Sequence, residues 1–168
     1  MKSSIVVILM TVFLALAPSV FASGKKEVKS SVSFHLESDG NDNPRMISEM
    51  VHNGKKRYFR RLPEINTKDI VSFNPFPSEI NDSYGIVFRL TPVATGRLAA
   101  VTASNQGKYL MAQINGRLVD GVLIDKEIND GFVVIWKGAT LGDIQLLDQD
   151  KPRLGEEGKK KKNNICSR

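Results

Sequence analysis

Residues 104–124 read SNQGKYLMAQINGRLVDGVLI, and they hold two apolar runs with Asn115-Gly116 between them. An Asn-Gly pair between two strand-forming runs predicts a tight β-hairpin turn, because both residues accept positive φ angles. The Gly107-Lys108 pair before the first run has two interpretations. It belongs either to a phosphate-binding loop or to the end of a helix that leads into a strand.

The residues upstream favour the helix end. Residues 84–90 (YGIVFRL) alternate as a strand does, and Thr91-Pro92 is typical of a helix start. We expect the helix to run to about Asn105 and to stop at Gly107 in a left-handed conformation, with Lys108 near its negative end. A phosphate-binding loop needs a glycine about five residues earlier and a Ser or Thr after the lysine. Neither is present.

The residues downstream complete an α+β pattern. Asn129-Asp130-Gly131 predicts a turn, and FVVIW (132–136) is apolar throughout, which favours a central strand. Thr140 and Asp143 have the spacing of a capping box that opens a last helix. The order β-α-β-β-β-α predicts a mixed or antiparallel sheet with two helices packed on one face.

An N-terminal β region precedes this unit. Residues 31–38 (SVSFHLES) alternate as a half-buried strand, which places His35 on the polar face. Residues 45–61 centre on Asn53-Gly54 and predict a hairpin with His52 exposed at its turn. The second arm, KKRYFRR, combines five bases with two aromatic residues. It is either a site for an acidic ligand or, as we favour, an exposed strand face with Tyr58 or Phe59 turned inward.

The first 22 residues have the pattern of a secretory signal peptide. Lys2 precedes the apolar run Ile5–Ala17, and Val20 and Ala22 are small residues before a cleavage point between Ala22 and Ser23. The alternative is an uncleaved anchor in the inner membrane, although the run is shorter than the ~20 residues that a span needs. The sequence therefore predicts a periplasmic or secreted protein.

The positive charge lies at the C-terminus. Residues 159–168 (KKKKNNICSR) contribute five bases and no acid, whereas residues 23–158 hold 18 bases and 18 acids. A neutral body with a basic tail does not predict nucleic-acid binding, and it allows at most peripheral membrane contact through the tail. The single cysteine, Cys166, excludes an internal disulfide.

No arrangement in the sequence predicts an enzyme, a cofactor or a metal site. There is no G-x-S-x-G nucleophile motif, and neither histidine has a second ligand at metal-binding spacing. The acids Asp120, Asp125, Glu127 and Asp130 are close in sequence but lack the glycine and glutamate positions of a calcium loop. We interpret them as solvated turn residues.

Taken in order, these features resemble the head subdomain of the first periplasmic domain of SecD, a subunit of the bacterial protein-export machinery. The resemblance covers about residues 69–147. Its main positions are Phe88, Leu90, Thr91, Asn105, Gly107, Lys108, Asn115, Gly116, Gly131 and Thr140. It implies a stand-alone, non-catalytic domain that contacts unfolded or translocating polypeptide, or an envelope partner.

The resemblance has a limit, and one alternative function accompanies it. The transport activity of SecD depends on transmembrane helices, so the resemblance does not extend it to this chain. The alternative function is a structural or adaptor domain of the envelope that is unrelated to export. The domain organisation expected is a signal peptide (1–22), an N-terminal β region (23–68), the SecD-head-like domain (69–152) and a disordered basic tail (153–168).

Overall fold

The computed structural model describes residues 29–80 and 82–158, which form nine strands and two α-helices. The helices are α1 (Pro92–Ser104) and α2 (Leu141–Asp150). The strands are β1 (Val32–Ser38), β2 (Ile47–His52), β3 (Lys55–Arg60), β4 (Ile65–Asn66), β5 (Ile70–Pro77), β6 (Tyr84–Leu90), β7 (Tyr109–Ile114), β8 (Arg117–Leu123) and β9 (Phe132–Ala139). The α+β prediction is confirmed. The predicted signal peptide, its Ala22-Ser23 cleavage point and Cys166 lie outside the described residues.

The strands form two antiparallel sheets instead of one. The larger sheet has the order β2-β3-β1-β7-β8, with β4 paired to β1, and the smaller has the order β5-β6-β9. Strand β1 pairs with β7 from Val32↔Ile114 to Leu36↔Leu110. The N-terminal region is thus part of the same sheet as the hairpin formed by β7 and β8.

One hydrophobic core joins both sheets and both helices. Phe34 of β1 and Phe88 of β6 meet edge to face, with ring centroids 5.9 Å apart. Ala94 and Leu98 of α1 pack into this core, as do Ile144 and Leu147 of α2. Its members come from both sides of the predicted domain boundary between residues 68 and 69, which therefore does not separate two cores.

Helix α1 begins where the sequence predicts, and its last residue, Ser104, is one residue short of the expected end near Asn105. The Thr91 side chain accepts a hydrogen bond from the backbone N–H of Ala94, and Pro92 occupies the first turn. Asn105 is the C-cap, and its side chain donates to the Val101 carbonyl at 2.8 Å. Gly107 follows with φ of 82° and makes the left-handed turn into β7.

Helix α2 begins with the predicted capping box. Thr140 accepts from the backbone N–H of Asp143, while the Asp143 carboxylate accepts from the Thr140 N–H at 2.9 Å. The same carboxylate binds the guanidinium of Arg117 at 2.6 Å and the side-chain amide of Asn115 at 2.9 Å. Burial alone would raise the pKa of Asp143, but hydrogen bonds from Thr140, Asn115 and Arg117 hold it below the ordinary value.

Two predictions about the fold are wrong. The apolar strand FVVIW lies in β9, at an edge of the smaller sheet, and β6 is the central strand. Residues 153–158 do not begin a disordered tail, because Arg153 forms a parallel bridge with Phe73 and the Leu154 N–H donates to the Phe73 carbonyl at 3.0 Å. This segment covers part of the edge of β5.

Candidate interaction site

The β2–β3 hairpin is the best candidate for an interaction site in the described residues. Its turn is the predicted Asn53-Gly54 pair, with φ of 50° and 72°. The two strands pair continuously from Ile47↔Arg60 to His52↔Lys55. Strand β2 is at the end of the larger sheet, so within residues 29–80 and 82–158 it has a partner strand on one side only.

A polar and aromatic cluster fastens the hairpin to the rest of the sheet. One oxygen of Glu37 binds the Arg57 guanidinium at 2.6 Å, and the other accepts from the Tyr109 backbone N–H at 2.9 Å. The Arg57 guanidinium lies 4.5 Å from the centre of the Tyr109 ring. The His52 ring packs against the same tyrosine with centroids 5.1 Å apart. Arg57 and His52 of the hairpin are thus joined to β1 and β7.

Both histidines belong to this part of the molecule, with His35 on the predicted polar face of β1 and His52 beside the predicted turn. His35 is only 8% exposed, and its Nδ1 lies 2.8 Å from the Arg60 carbonyl. His52 is half-buried, because its ring lies over Gly121 of β8. The predicted exposure of His52 is wrong, and the polar face that holds His35 is covered, since the hairpin folds back over β1 and β7.

Gly121 provides the space for that fold-back. A Cβ at this position would come within 2.6 Å of Cε1 of His52, which is closer than atoms can approach. The absence of a side chain at Gly121 therefore admits the His52 ring. The irregular register of the β7–β8 pair lies beside it, between Ala112↔Asp120 and Gln113↔Leu118.

A groove opens at the end of the hairpin that is remote from the turn. It has a volume of about 460 Å³. Its apolar wall includes Met46 and Leu62, which are 58% and 73% exposed. Its lining residues are Ser38, Asp42, Asn43, Met46, Ile47, Arg60, Leu62 and Glu64. A mainly apolar groove with a few polar groups suits one or two apolar side chains of a partner.

A smaller cleft lies at the turn end of the hairpin, between β2 and β8. It has a volume of about 240 Å³, and its apolar lining includes Val51 and Leu118. These side chains are 61% and 39% exposed. Lys137 of β9 also lines the cleft. A mainly apolar groove thus lies near one end of β2, and a cleft of mixed polar and apolar lining lies near the other.

Charge is unevenly distributed along the hairpin. Residues 45–62 hold six bases (Arg45, Lys55, Lys56, Arg57, Arg60 and Arg61) and one acid (Glu49). Glu49 binds Lys56 at 2.9 Å, and Glu64 binds Arg60 at 3.1 Å. The hydrogen bond that Lys56 donates to Glu49, together with the negative charge of Glu49, raises the pKa of Lys56. Lys55 adds a further positive charge beside the turn, whereas Asp39 and Asp42 are in the loop at the other end.

The second candidate surface lies where the two sheets meet. A cavity of about 600 Å³ is lined by residues that include Ile80, Val119, Lys137 and Leu141. Trp136 is 63% exposed and packs edge to face on Phe76, with centroids 6.0 Å apart. The backbone at this junction is already hydrogen-bonded, as the Trp136 N–H donates to the Asp120 carboxylate and the Gly138 N–H to the Ser83 hydroxyl.

The residues that carry the SecD resemblance build the fold and do not converge on one site. Phe88 and Leu90 are in the core, and Thr91 and Thr140 cap the two helices. Lys108 donates to the Asn105 side chain at 3.1 Å. The turn glycines Gly116 and Gly131 have φ of 76° and 81°. Asn115, with φ of 53°, also accepts from the Ser31 N–H and so joins the turn to the start of β1.

Sequence reasoning missed the residues that join the strands. Asp120 is 7% exposed, and its carboxylate accepts from the N–H groups of Gly121 and Trp136. Asp120 is thus not a solvated turn residue. Glu37 was part of the predicted polar strand face, and its role depends on Arg57 and Tyr109, which are distant in sequence. No local pattern could have paired these groups.

Comparison with known proteins gives structural matches only. No protein-family model and no curated protein sequence matches the chain. Among solved structures, SecDF, described as a membrane component that enhances protein export, matches with a TM-score of 0.51 and 15% identity over 75% of this chain. A crystal structure of SecDF in a super-membrane-facing form matches with a TM-score of 0.51 and 16% identity over 73% of this chain.

This chain spans 64% of the first SecDF chain and 19% of the second. In the described residues, no helix is long and apolar enough to cross a membrane. At this level of identity the matches concern the fold alone. The resemblance identified from the sequence is confirmed at that level: the chain has the fold of the SecD head domain.

Proposed function

We propose that this chain is an exported, non-catalytic domain that binds extended polypeptide and takes part in protein export. The apolar groove beside the hairpin carries the proposal. It offers exposed Met46 and Leu62 side chains on a domain whose fold resembles part of SecDF. An unfolded chain presents isolated apolar side chains, and a groove of this size accepts them without requiring a particular sequence.

Site-specific photo-cross-linking in the native envelope tests this function. A photoreactive amino acid at Leu62 is expected to label a range of translocating polypeptides. The matched control is Val93, which is 77% exposed on α1 and does not line the groove. Labelling from residue 62 should exceed labelling from residue 93 severalfold, and an added unfolded protein should compete with it.

Equal labelling from both positions, or none from residue 62, would contradict the proposal. The adaptor alternative predicts a different result, namely one folded envelope protein as the main product. It also predicts that removal of residues 159–168 releases the chain from the membrane fraction, whereas polypeptide binding at the groove does not depend on that segment.

A further inference from the structure

We infer that the open edge of β2 binds an extended segment with alternating apolar and acidic side chains, as an added β-strand. This inference rests on the proposed function and specifies how the polypeptide would be held. The first support for the inference is the direction in which the backbone groups of β2 point. The Arg61 N–H donates to the Met46 carbonyl at 2.8 Å, so residues 46 and 61 form a hydrogen-bonded pair.

In an antiparallel ladder these pairs alternate with pairs that do not exchange hydrogen bonds. The backbone groups of Ser48 and Met50 therefore point towards β3, and those of Glu49 and Val51 point away from it. Among the described strands none pairs with that side of β2. Strand addition uses such a row of backbone groups for affinity and adjacent recesses for specificity.

The outer edges of β5, β8 and β9 are protected, and the contrast with β2 is the second support for the inference. Strand β5 contains Pro75 and Pro77, and residues 152–154 cover it at Phe73. Strands β8 and β9 shield each other, because Asp120 accepts from the Trp136 N–H and Arg117 donates to the Gly138 carbonyl. Natural sheets block their edges by such means. Strand β2 has no proline and no break in its register with β3.

The recesses and charges beside β2 define the occupant. The groove with Met46 and Leu62 suits apolar side chains, and exposed Val51 and Leu118 offer apolar contacts beside the polar groups of the other cleft. Lys55, Lys56 and Lys137 near the turn favour acidic side chains on the same segment. A second copy of the chain is a poorer partner, because β2–β2 pairing would bring together two hairpins that each hold six bases and one acid. The chain's own basic tail is disfavoured for the same reason.

Hydrogen exchange on the full chain tests the inference without a mutation. The probe is a labelled peptide of about eight residues that alternates valine and glutamate, the length of an ordinary strand. A valine–lysine peptide of equal length is the control. We expect the acidic peptide to bind at least tenfold more tightly, to lose affinity as salt is raised, and to slow amide exchange at Glu49 and Val51.

Two substitutions at position 49 separate the contribution of the backbone N–H to peptide binding from that of the side chain. Glu49→Pro removes an N–H that points away from β3, and an edge strand tolerates proline there. We expect it to weaken peptide binding about tenfold, the effect of one lost hydrogen bond. Glu49→Ala removes the same carboxylate but keeps the N–H, and should change affinity less than about threefold. Lys55→Glu should weaken the binding of the acidic peptide and strengthen the binding of the basic one.

Protection that appears elsewhere, equal affinity for both peptides, or equal effects of Glu49→Pro and Glu49→Ala would overturn the inference. So would concentration-dependent dimers protected at Glu49 and Val51, or binding to anionic vesicles without peptide binding. If residue 62 still cross-links polypeptides in the envelope while edge protection is absent, only the strand-addition inference fails. If residue 62 labels no polypeptide, the proposed function itself fails.

Discussion

The carboxylate of Asp120 accepts a hydrogen bond from the backbone N–H of Trp136 at 2.8 Å and thereby joins the edge of the larger sheet to the edge of the smaller. Its other oxygen accepts from the Gly121 N–H at 2.9 Å. Because Asp120 is only 7% exposed, water cannot readily replace it as the partner of these two donors. The contact between the sheets therefore depends strongly on one carboxylate.

Asp120→Ala should lower the free energy of unfolding by about 2–3 kcal/mol, because it leaves the Trp136 N–H without its acceptor. Asp120→Asn keeps one acceptor oxygen and should cost less. Chemical denaturation monitored by the fluorescence of Trp136, the single tryptophan, measures both changes. Asp125→Ala, at an exposed loop position, serves as the control. Equal stability of the Asp120 and Asp125 variants would contradict the role assigned to Asp120.

Gly121→Ala should destabilise the protein by about 1 kcal/mol, because the new methyl group displaces the His52 ring. The same substitution in a His52→Ala background should cost nothing, or should stabilise, since glycine is a poor strand residue. A double-mutant cycle of thermal unfolding gives the coupling between the two positions. If the changes in stability caused by the Gly121 and His52 substitutions are additive, contact with the His52 ring does not explain the glycine at position 121.

Glu37→Ala should loosen the hairpin more than it destabilises the whole molecule. The substitution removes the partner of Arg57 and the acceptor of the Tyr109 N–H, so we expect faster amide exchange across β2 and β3 with little change in α1. Glu49→Ala breaks the exposed pair with Lys56 and should cost less than about 0.5 kcal/mol. Equally faster amide exchange in the β2–β3 hairpin and in α1 would show that the hairpin does not open separately from the rest of the molecule.

Asp143→Asn should make the free energy of unfolding less dependent on pH in the acid range. The folded-state pKa of Asp143 is below its ordinary value of 3.8, so the carboxylate stabilises the fold fully above that value. This stabilisation is lost as the pH falls through the lower, folded-state pKa. At neutral pH the variant should also lose about 1 kcal/mol with its capping box. Urea titrations from pH 7 down to about pH 2 compare it with Asp125→Asn, which should keep the full acid slope.

Local patterns predicted those parts of the fold that depend on neighbouring residues. The Asn53-Gly54 and Asn115-Gly116 turns are confirmed, because only a few residue types accept two consecutive positive φ angles. The Thr140–Asp143 box is confirmed for a similar reason, since its hydrogen bonds join residues three apart. Such features are determined by the sequence itself and need no information about tertiary contacts.

Features that depend on distant contacts escaped prediction. The apolar composition of β9 indicated a central strand, but its sides are covered by the β8 edge and the shared core. The polarity of residues 153–158 indicated disorder, yet Glu157 accepts from Ser72 at 2.8 Å and binds Arg89 at 3.3 Å. The candidate site has the same origin. The open edge of β2 is defined by which strands do not pair with it, and that depends on the whole topology.

The pairing of β1 with β7 has a consequence for how the chain matures. Whenever the polypeptide appears N-terminus first, from a ribosome or through a pore, β1 precedes β7 by the 70 residues between Ser38 and Tyr109. Until β7 emerges, Leu36 lacks its partner strand, and Phe34 has only the short strand β4 beside it. Pairing of strands that are so distant in sequence is slow. An apolar segment that is exposed before its partner strand is synthesised is a site that chaperones bind. A domain that engages other unfinished chains would thus need protection during its own synthesis.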